Sequence, residues 1–274
     1  AGIAGRDGRS AILLAMRFRI TGAGTSLQDI VMEGTTAIAI EGLSDVEDPR
    51  QWEYTTADLG TAILTWNAMI GFARNAGDEV YLWGHNGSDQ STTYLARGLY
   101  PELLQQRWST LEYWSYSPGH RRGRAWVPTA NVSSLAPVGL PSWESTLTWS
   151  EGMRLWYSFY VNYFTLGTSI YMYTASEVTG PWRQTMIYDI PRPFSELGTP
   201  WICYAAKAHP ELIRPTEEAV DHIELILTYV CNFNRNISSL GNPLFSRLSM
   251  FWPLRGYWPR FLRVSVPKSF WLNR

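Results

Sequence analysis

A hairpin-like segment recurs three times along this chain and constrains its fold more than any other feature. Each copy reads as a short alternating strand, a polar turn and a Trp that opens a second short strand. The copies span Thr35–Tyr54, Thr92–Trp114 and Thr168–Tyr188, and their opening tryptophans are Trp52, Trp108 and Trp182. A β-hairpin that recurs at intervals of about 50 residues is typical of a β-propeller, in which each repeat forms one blade.

Hydrophobic and polar residues alternate along most of the chain, and long segments with helical periodicity are absent. The alternation predicts four groups of strands. They are Ala11–Ile20, Thr36–Ile40 and Gln51–Thr55; Trp66–Ala73, Glu79–Gly84, Thr93–Gly98 and Trp108–Trp114; Trp143–Trp149, Leu155–Asn162, Ser169–Thr174 and Trp182–Ile190; and Tyr204–Leu212, His222–Asn232 and Phe245–Met250. A last strand, Trp258–Val266, is expected to close the ring against another sheet. We therefore predict an all-β fold, a five-bladed β-propeller of four-stranded antiparallel blades, with residues 1–274 forming a single domain.

The first group lacks a clear innermost strand, so the first blade is expected to be incomplete. Either the strand lies within Ala1–Arg9, which is rich in glycine, or it was lost with a missing N-terminus. The chain does not begin with Met and shows no secretory signal, which favours a mature form or an excised fragment.

Composition argues against two classes of partner. The formal net charge is -1 and charged residues make up 17% of the chain, whereas a nucleic-acid-binding protein usually shows a basic excess or stripe. The one basic cluster, His120–Arg124, is predicted to be a solvated turn. No apolar run approaches the roughly 18 residues that span a membrane. We expect neither a nucleic acid nor a membrane as partner, and we expect a monomer.

Two features favour a secreted glycoprotein. The first is a set of three Asn-X-Ser acceptors in predicted loops, at Asn86, Asn131 and Asn236. The second is the pair of cysteines, Cys203 and Cys231. If the strands that follow and precede them pair as an antiparallel hairpin, both cysteines lie at the same end, where a disulfide can form. The alternative is two buried thiols, and the sequence favours neither.

The innermost strand of each blade lines the axis of a propeller, so polar residues on those strands are the candidates for chemistry. The innermost strands that can be identified in the sequence are Trp66–Met69, Trp143–Thr146 and Tyr204–Glu211. Lys207, His209 and Glu211 are two residues apart, so they share one face of the last of these strands. Ala206 and Ala208 occupy the opposite face and are small enough for close packing between sheets. Aromatic residues on the second strands are expected to fill the space between sheets; they are Trp83, Trp156, Tyr157 and Tyr229.

Paired carboxylates on such strands are typical of glycoside hydrolysis, in which one acid protonates the leaving-group oxygen and the other acts as base or nucleophile. Glu144 and Glu211 are the candidate pair, and Lys207 or His209 could keep one of them ionised. The candidate substrate contacts are Trp66, Asn67, Trp143 and Tyr204. The alternative is a structural ion pair that caps the channel. Phosphate-loop, Cys-x-x-Cys and His-x-x-x-His motifs are missing from the sequence, so we expect no cofactor and no metal.

Two segments resemble known propeller families. Thr174–Trp182 with Ile187–Pro191 resembles a hairpin and Gly-Pro-Trp segment of five-bladed propeller glycosidases. Tyr204–Leu212 with Leu227–Asn232 resembles an uncharacterised propeller family that carries a His-Pro innermost strand and a Tyr-Val-x-Asn strand. That family, a domain of unknown function, is similar to the arabinanase and β-xylosidase propellers, and relatives are linked to endo-D-arabinanase activity. The resemblance extends from about Ala11 to Val266.

The resemblance implies a secreted glycoside hydrolase that acts on an arabinan-like or related polysaccharide or oligosaccharide. One feature departs from the family pattern, because propeller glycosidases usually carry a catalytic Asp on the first innermost strand. The only early candidate here is Asp7, which does not lie in a clear strand. The alternative hypothesis is therefore a non-catalytic propeller that binds carbohydrate or protein.

Overall fold

The structure of the chain is a computed structural model. It describes residues 2–21, 30–43, 48–59, 65–72, 77–86, 89–116, 123–128, 132–140, 145–161, 169–190, 201–212, 222–233 and 259–267. The predicted strand Phe245–Met250 and the acceptors Asn131 and Asn236 lie outside these residues. Asn86 is the last residue of a strand rather than a loop residue.

The chain divides into two compact units, and the first contains two antiparallel sheets. The N-terminal unit comprises Ala1–Trp143 and Glu177–Trp182. Its first sheet has the order β1 (Gly2–Ala4), β2 (Ser10–Ile20), β3 (Ile30–Glu41) and β4 (Glu53–Asp58). Its second sheet has the order β5 (Thr65–Phe72), β6 (Glu79–Asn86), β7 (Asp89–Leu99), β8 (Glu112–Tyr116) and β9 (Arg124–Val127). A short helix, α1 (Tyr100–Leu104), follows β7 and overlaps the helical turn that the sequence allows there.

The second unit also contains two antiparallel sheets. The C-terminal unit comprises Glu144–Ser176 and Arg183–Arg274. Its first sheet has the order β10 (Leu147–Ser150), β11 (Leu155–Val161), β12 (Ser169–Ala175) and β13 (Arg183–Asp189). Its second sheet has the order β14 (Trp201–Ala208), β15 (His222–Phe233) and β16 (Arg260–Pro267). In all four sheets, strands that are consecutive in sequence are neighbours in space, as in a propeller blade.

The three repeated segments correspond to the same part of three different sheets. Each copy forms the third and fourth strands: β3 with β4, β7 with β8, and β12 with β13. Trp52 and Trp182 directly precede the fourth strand, and Trp108 begins a 3₁₀ turn shortly before it. The repeat therefore marks a recurring structural unit, as the sequence predicts.

Within each unit, the two sheets pack on each other in the same manner. The first strand of the later sheet lies on the second strand of the earlier one, β5 on β2 and β14 on β11. In the N-terminal unit, a buried cluster joins the two sheets and α1, and it includes Ile12, Leu82 and Leu103. Because this relation appears twice, both pairs of sheets are packed like neighbouring blades.

Aromatic and small side chains fill the space between the sheets of the C-terminal unit. Tyr157 and Phe159 of β11 meet Leu227 and Tyr229 of β15 in one buried cluster. Full burial of each such side chain contributes about 1.5–3 kcal/mol. Trp83 and Trp156 are also almost completely buried. The prediction that the aromatic residues of the second strands are buried is confirmed for all four.

The structure decides between the two alternatives for the innermost strand of the first sheet. It lies within Ala1–Arg9, because Gly2–Ala4 pairs with Ala11–Leu13 of β2. Its position is not evident from the sequence because a three-residue strand among glycines shows no alternation. The expectation for the last strand is wrong, since it pairs with β15 inside the fourth sheet rather than with another sheet. In addition, Arg124–Val127 adds a fifth strand to the second sheet.

The fold class is confirmed in its main features. The described residues form small antiparallel sheets, two of them four-stranded, with the strand order and pairwise packing of propeller blades. The count of five blades and the assignment of residues 1–274 to a single domain stay predictions. None of the helical segments in the described ranges has the length and apolar character that a bilayer crossing requires.

A disulfide bond joins Cys203 of β14 to Cys231 of β15, which decides between the two alternatives left open by the sequence. The two cysteines are directly opposite in the antiparallel register, and their Cα atoms are 4.0 Å apart. Both side chains are buried in the cluster between the sheets.

We expect replacement of both cysteines by alanine to lower the free energy of unfolding by about 3–4 kcal/mol, because the bond closes a loop with a sequence separation of 28. Urea denaturation with and without reductant measures this loss. The reduced wild-type protein should match the double variant in midpoint. An oxidised wild type that is no more stable than the double variant would contradict the prediction.

Candidate functional site

The predicted site strand, β14, contains a β-bulge that determines which side chains share a face. Tyr204 pairs with Val230 and Lys207 pairs with Thr228, so Ala205 and Ala206 together oppose a single residue of β15. Ala205 has a φ of 57°, in the left-handed region. A bulge of this kind inserts one extra residue and locally reverses the alternation of side chains.

The bulge places Tyr204 and Lys207 on the same face of the fourth sheet. Residues three apart in a regular strand point to opposite faces, but the extra residue cancels that reversal. Cys203 and Ala206 point to the buried face instead, together with Ala208. Close packing by the two alanines is therefore confirmed, at 1% and 8% exposure for Ala206 and Ala208. Lys207 is exposed and Tyr204 is half-buried.

His209 directly follows β14 and is held in place by two hydrogen bonds with residues of β15. Its backbone N–H donates to the carbonyl of Ile226 at 2.9 Å. Its Nε2 lies 2.8 Å from Oγ1 of Thr228, the residue of β15 that pairs with Lys207. The structure therefore brings Lys207, His209 and Thr228 together around one end of β14.

Glu211 is not on a strand, which corrects the sequence prediction. β14 ends at Ala208, and Pro210–Leu212 form a 3₁₀ turn whose last N–H, from Leu212, donates to the carbonyl of His209 at 3.1 Å. Pro210 cannot donate to the ladder, so the strand ends before it. The alternation of faces consequently does not extend from Lys207 to Glu211. The structure describes the backbone of Glu211 and not its side chain.

A side chain that precedes β10 contacts the free edge of β14. β15 occupies one edge of β14, and on the other edge the N–H of Ala208 donates to Oγ1 of Thr146 at 2.9 Å. This bond joins β14 to the segment that directly precedes β10, the innermost strand of the other sheet in the C-terminal unit. It satisfies an edge donor that would otherwise require another partner.

The remaining predicted site residues are described only in part. Trp143 and Glu144 lie outside the described residues, directly before the segment that carries Thr146. Trp66 and Asn67 belong to β5 of the N-terminal unit, and their backbone is described without their side chains. The assignment of all eight residues to catalysis and substrate contact therefore stays a prediction.

Tyr229, the residue opposite the bulge, lies on the buried side of the sheet. Burial, together with the neighbouring Tyr188, raises the pKa of the Tyr229 phenol above its ordinary value. Its ring packs at 6.4 Å from the ring of Tyr188. The phenol is therefore neutral at physiological pH, and the side chain belongs to the buried cluster between the sheets. Within the described ranges, His, Cys, Asp and Glu side chains form no group of three or more that could hold a metal ion.

Two residues that contact the predicted site were not identified from the sequence, Thr146 and Thr228. Both are threonines in or next to strands, where threonine is common for its β-branched shape. A signal for Thr228 exists in the antiparallel register, because pairing Cys203 with Cys231 and allowing one bulge brings it opposite Lys207.

These features define an all-β protein of blade-like antiparallel sheets, with a polar strand end as its candidate site. The chain belongs to the family described as "Domain of unknown function (DUF5005)", whose model matches residues 15–266. This agrees with the resemblance to a propeller family without an assigned function. The finer resemblance to arabinanase-like glycosidases stays a prediction.

The fold is similar to that of solved structures, of which one is informative by its description. It is described as that of "a putative hydrolase from Bacteroides ovatus ATCC 8483", and it matches with a TM-score of 0.64 and 16% sequence identity. The match covers 93% of this chain and 58% of that chain, so this chain spans little more than half the length of the Bacteroides protein. At this identity the similarity shows the fold alone. Comparison with curated proteins finds no match.

Replacement of Ala205 should test the bulge directly. We expect Ala205→Val to lower the free energy of unfolding by about 1–2 kcal/mol, because a β-branched side chain is strained in the left-handed region. Ala205→Gly should stay within about 1 kcal/mol of the wild type. Thermal and urea denaturation measure both.

Ala15→Val is the matched control for the bulge, since Ala15 is exposed in the extended strand β2. We expect that control to change stability by less than about 0.5 kcal/mol. Equal effects of the two valine substitutions would show that Ala205 is not in a left-handed conformation.

Proposed function

We propose that this protein is a secreted glycoside hydrolase that cleaves an arabinan-like or related polysaccharide, with Glu144 and Glu211 as its pair of carboxylates. The observation that carries this proposal is the hydrogen bond between Ala208 N–H and Thr146 Oγ1. It joins the two chain segments on which the two glutamates lie. Glu144 would act as acid or base and Glu211 as its counterpart.

The covalent chain limits how far the two glutamates can lie from that hydrogen bond. Glu144 is two residues from Thr146 and Glu211 is three residues from Ala208. An extended chain spans at most about 3.6 Å per residue. The Cα of Glu144 therefore lies within about 11 Å of the Cα of Thr146, and the Cα of Glu211 lies within about 11 Å of the Cα of Ala208. The carboxyl separations of glycosidases, about 5–10 Å, are within this reach.

The neighbouring side chains supply the other groups that sugar chemistry needs. In this proposal, Lys207 and His209 keep one carboxyl ionised by their positive charge or hydrogen bonding. Tyr204, brought to the same face by the bulge, offers an aromatic surface to a sugar ring. Trp66, Asn67 and Trp143 stay candidates for substrate contact on the evidence of the sequence.

Two further observations support the proposal. The fold is similar to that of a Bacteroides protein described as "a putative hydrolase", at 16% identity. The disulfide between Cys203 and Cys231 suits an oxidising compartment, because such bonds are rare in the cytosol. The polysaccharide substrate and the secreted location belong to the proposal.

The second candidate function is non-catalytic binding of carbohydrate. The first innermost strand favours it, since β1 comprises only Gly2, Ile3 and Ala4 and carries no acid. Asp7 lies in the turn that follows, where its carboxylate accepts a hydrogen bond from the N–H of Arg9. The catalytic Asp that propeller glycosidases usually carry on the first innermost strand is therefore missing from β1.

Hydrolysis of plant, fungal and mycobacterial polysaccharides, measured as released reducing ends, distinguishes the two functions. We expect Glu144→Gln and Glu211→Gln each to lower kcat by at least about 100-fold while the thermal midpoint stays near that of the wild type. The loss follows because a glutamine can neither give nor take the proton.

Glu53→Gln is the matched control, because Glu53 is an exposed glutamate of β4 in the other unit. It should retain wild-type turnover. Full turnover in both site variants would overturn the proposed carboxylate pair. Binding of a polysaccharide without release of reducing ends would favour the second candidate function.

A further inference from the structure

Thr228 occupies a rigid position at the centre of the fourth sheet. It pairs with Lys207 of β14 on one side and with Phe261 of β16 on the other. A residue with ladder partners on both sides has a fixed backbone, and a β-branched side chain has few rotamers. The Thr228 hydroxyl is therefore a well-placed group, held independently of any ligand.

That hydroxyl lies 2.8 Å from Nε2 of His209, in a half-buried position. The His209 backbone is also fixed, by the bond from its N–H to the carbonyl of Ile226. The imidazole is thus constrained from both its main chain and its Nε2. A constraint of this kind determines the orientation of the ring and the position of its proton.

The hydrogen-bonding capacity of the two groups favours one tautomer. A threonine hydroxyl has one proton to donate, and a neutral imidazole has one nitrogen that accepts. If Nε2 accepts the hydroxyl proton, one bond uses both the hydroxyl proton and the acceptor nitrogen of the ring, and only Nδ1–H needs another partner. If Nε2 carries the proton instead, the half-buried hydroxyl needs an acceptor for its own proton and Nδ1 needs a donor, and a polar group left unpaired is costly.

We propose that Thr228 is a positioning residue of the site: its hydroxyl donates to Nε2 of His209 and holds the neutral imidazole with its proton on Nδ1. As far as catalysis is concerned, this inference rests on the proposed hydrolase function. The ring then keeps one orientation relative to Lys207 and the turn that carries Glu211. Protonation of His209 reverses the direction of the bond, since Nε2–H then donates to Oγ1, and the geometry is kept.

Long-range ¹H–¹⁵N correlation spectra of the ¹⁵N-labelled full chain test the tautomer without any substrate. The chain has only four histidines, and His209→Gln identifies the signals of His209 by their loss. We expect the Nδ1–H pattern in the wild type at a pH where the imidazole is neutral. Thr228→Ser should keep that pattern, and Thr228→Val should replace it by the Nε2–H or averaged pattern.

Thr56→Val is the matched control, because Thr56 is an exposed threonine of β4 and should leave the His209 signals unchanged. An Nε2–H pattern in the wild type would overturn the proposal. An unchanged pattern in a folded Thr228→Val variant would overturn it as well.

Kinetics on the hydrolysed polysaccharide provide the second readout. We expect Thr228→Val to lower kcat about tenfold with less than about a threefold change in KM, and Thr228→Ser to restore kcat. Wild-type kcat in Thr228→Val would overturn the positioning role. An inactive wild type would overturn the proposed function alone, because the spectra decide the role of Thr228 toward His209 independently.

Discussion

The close packing of one sheet on the next is the constraint on which the candidate site depends. β14 lies against β11. This close approach is possible because the buried face of β14 carries two alanines and the cysteine of the disulfide bond. Ala206 and Ala208 allow the backbones to approach, and large residues on β11 and β15 fill the remaining space. Any larger side chain at either alanine would push the sheets apart and displace the end of the strand.

The bulge reconciles that packing with a polar face. Cys203 and Ala206 must both be buried although they are three residues apart, which a regular strand does not permit. The extra residue solves this, at a cost of about 1–2 kcal/mol for a left-handed alanine. Strain of this size is commonly kept at functional sites, where the surrounding structure enforces it. Here it brings Tyr204 to the face that carries Lys207.

The sequence predicts an element of this structure only where that element leaves a regular pattern of buried and exposed residues. Alternation identifies long strands such as β11 and β15, because one face of each is buried. It fails for β1, which has three residues, and for Glu211, where Pro210 ends the strand. The bulge leaves no sequence signal, because the left-handed residue is an alanine and not the expected glycine. Thr146 and Thr228 are recognised only once the partner strands are in place.

The covalent bond between β14 and β15 has a consequence for the integrity of the chain. Cys203 and Cys231 enclose the bulge, Lys207, His209, Glu211 and Thr228 within one closed loop. A protease that cuts a single peptide bond anywhere in that loop yields two polypeptides that remain joined through sulfur. β14 and β15 would stay joined at the crosslink, so a single cut within the loop would not separate the two strands that carry the predicted site.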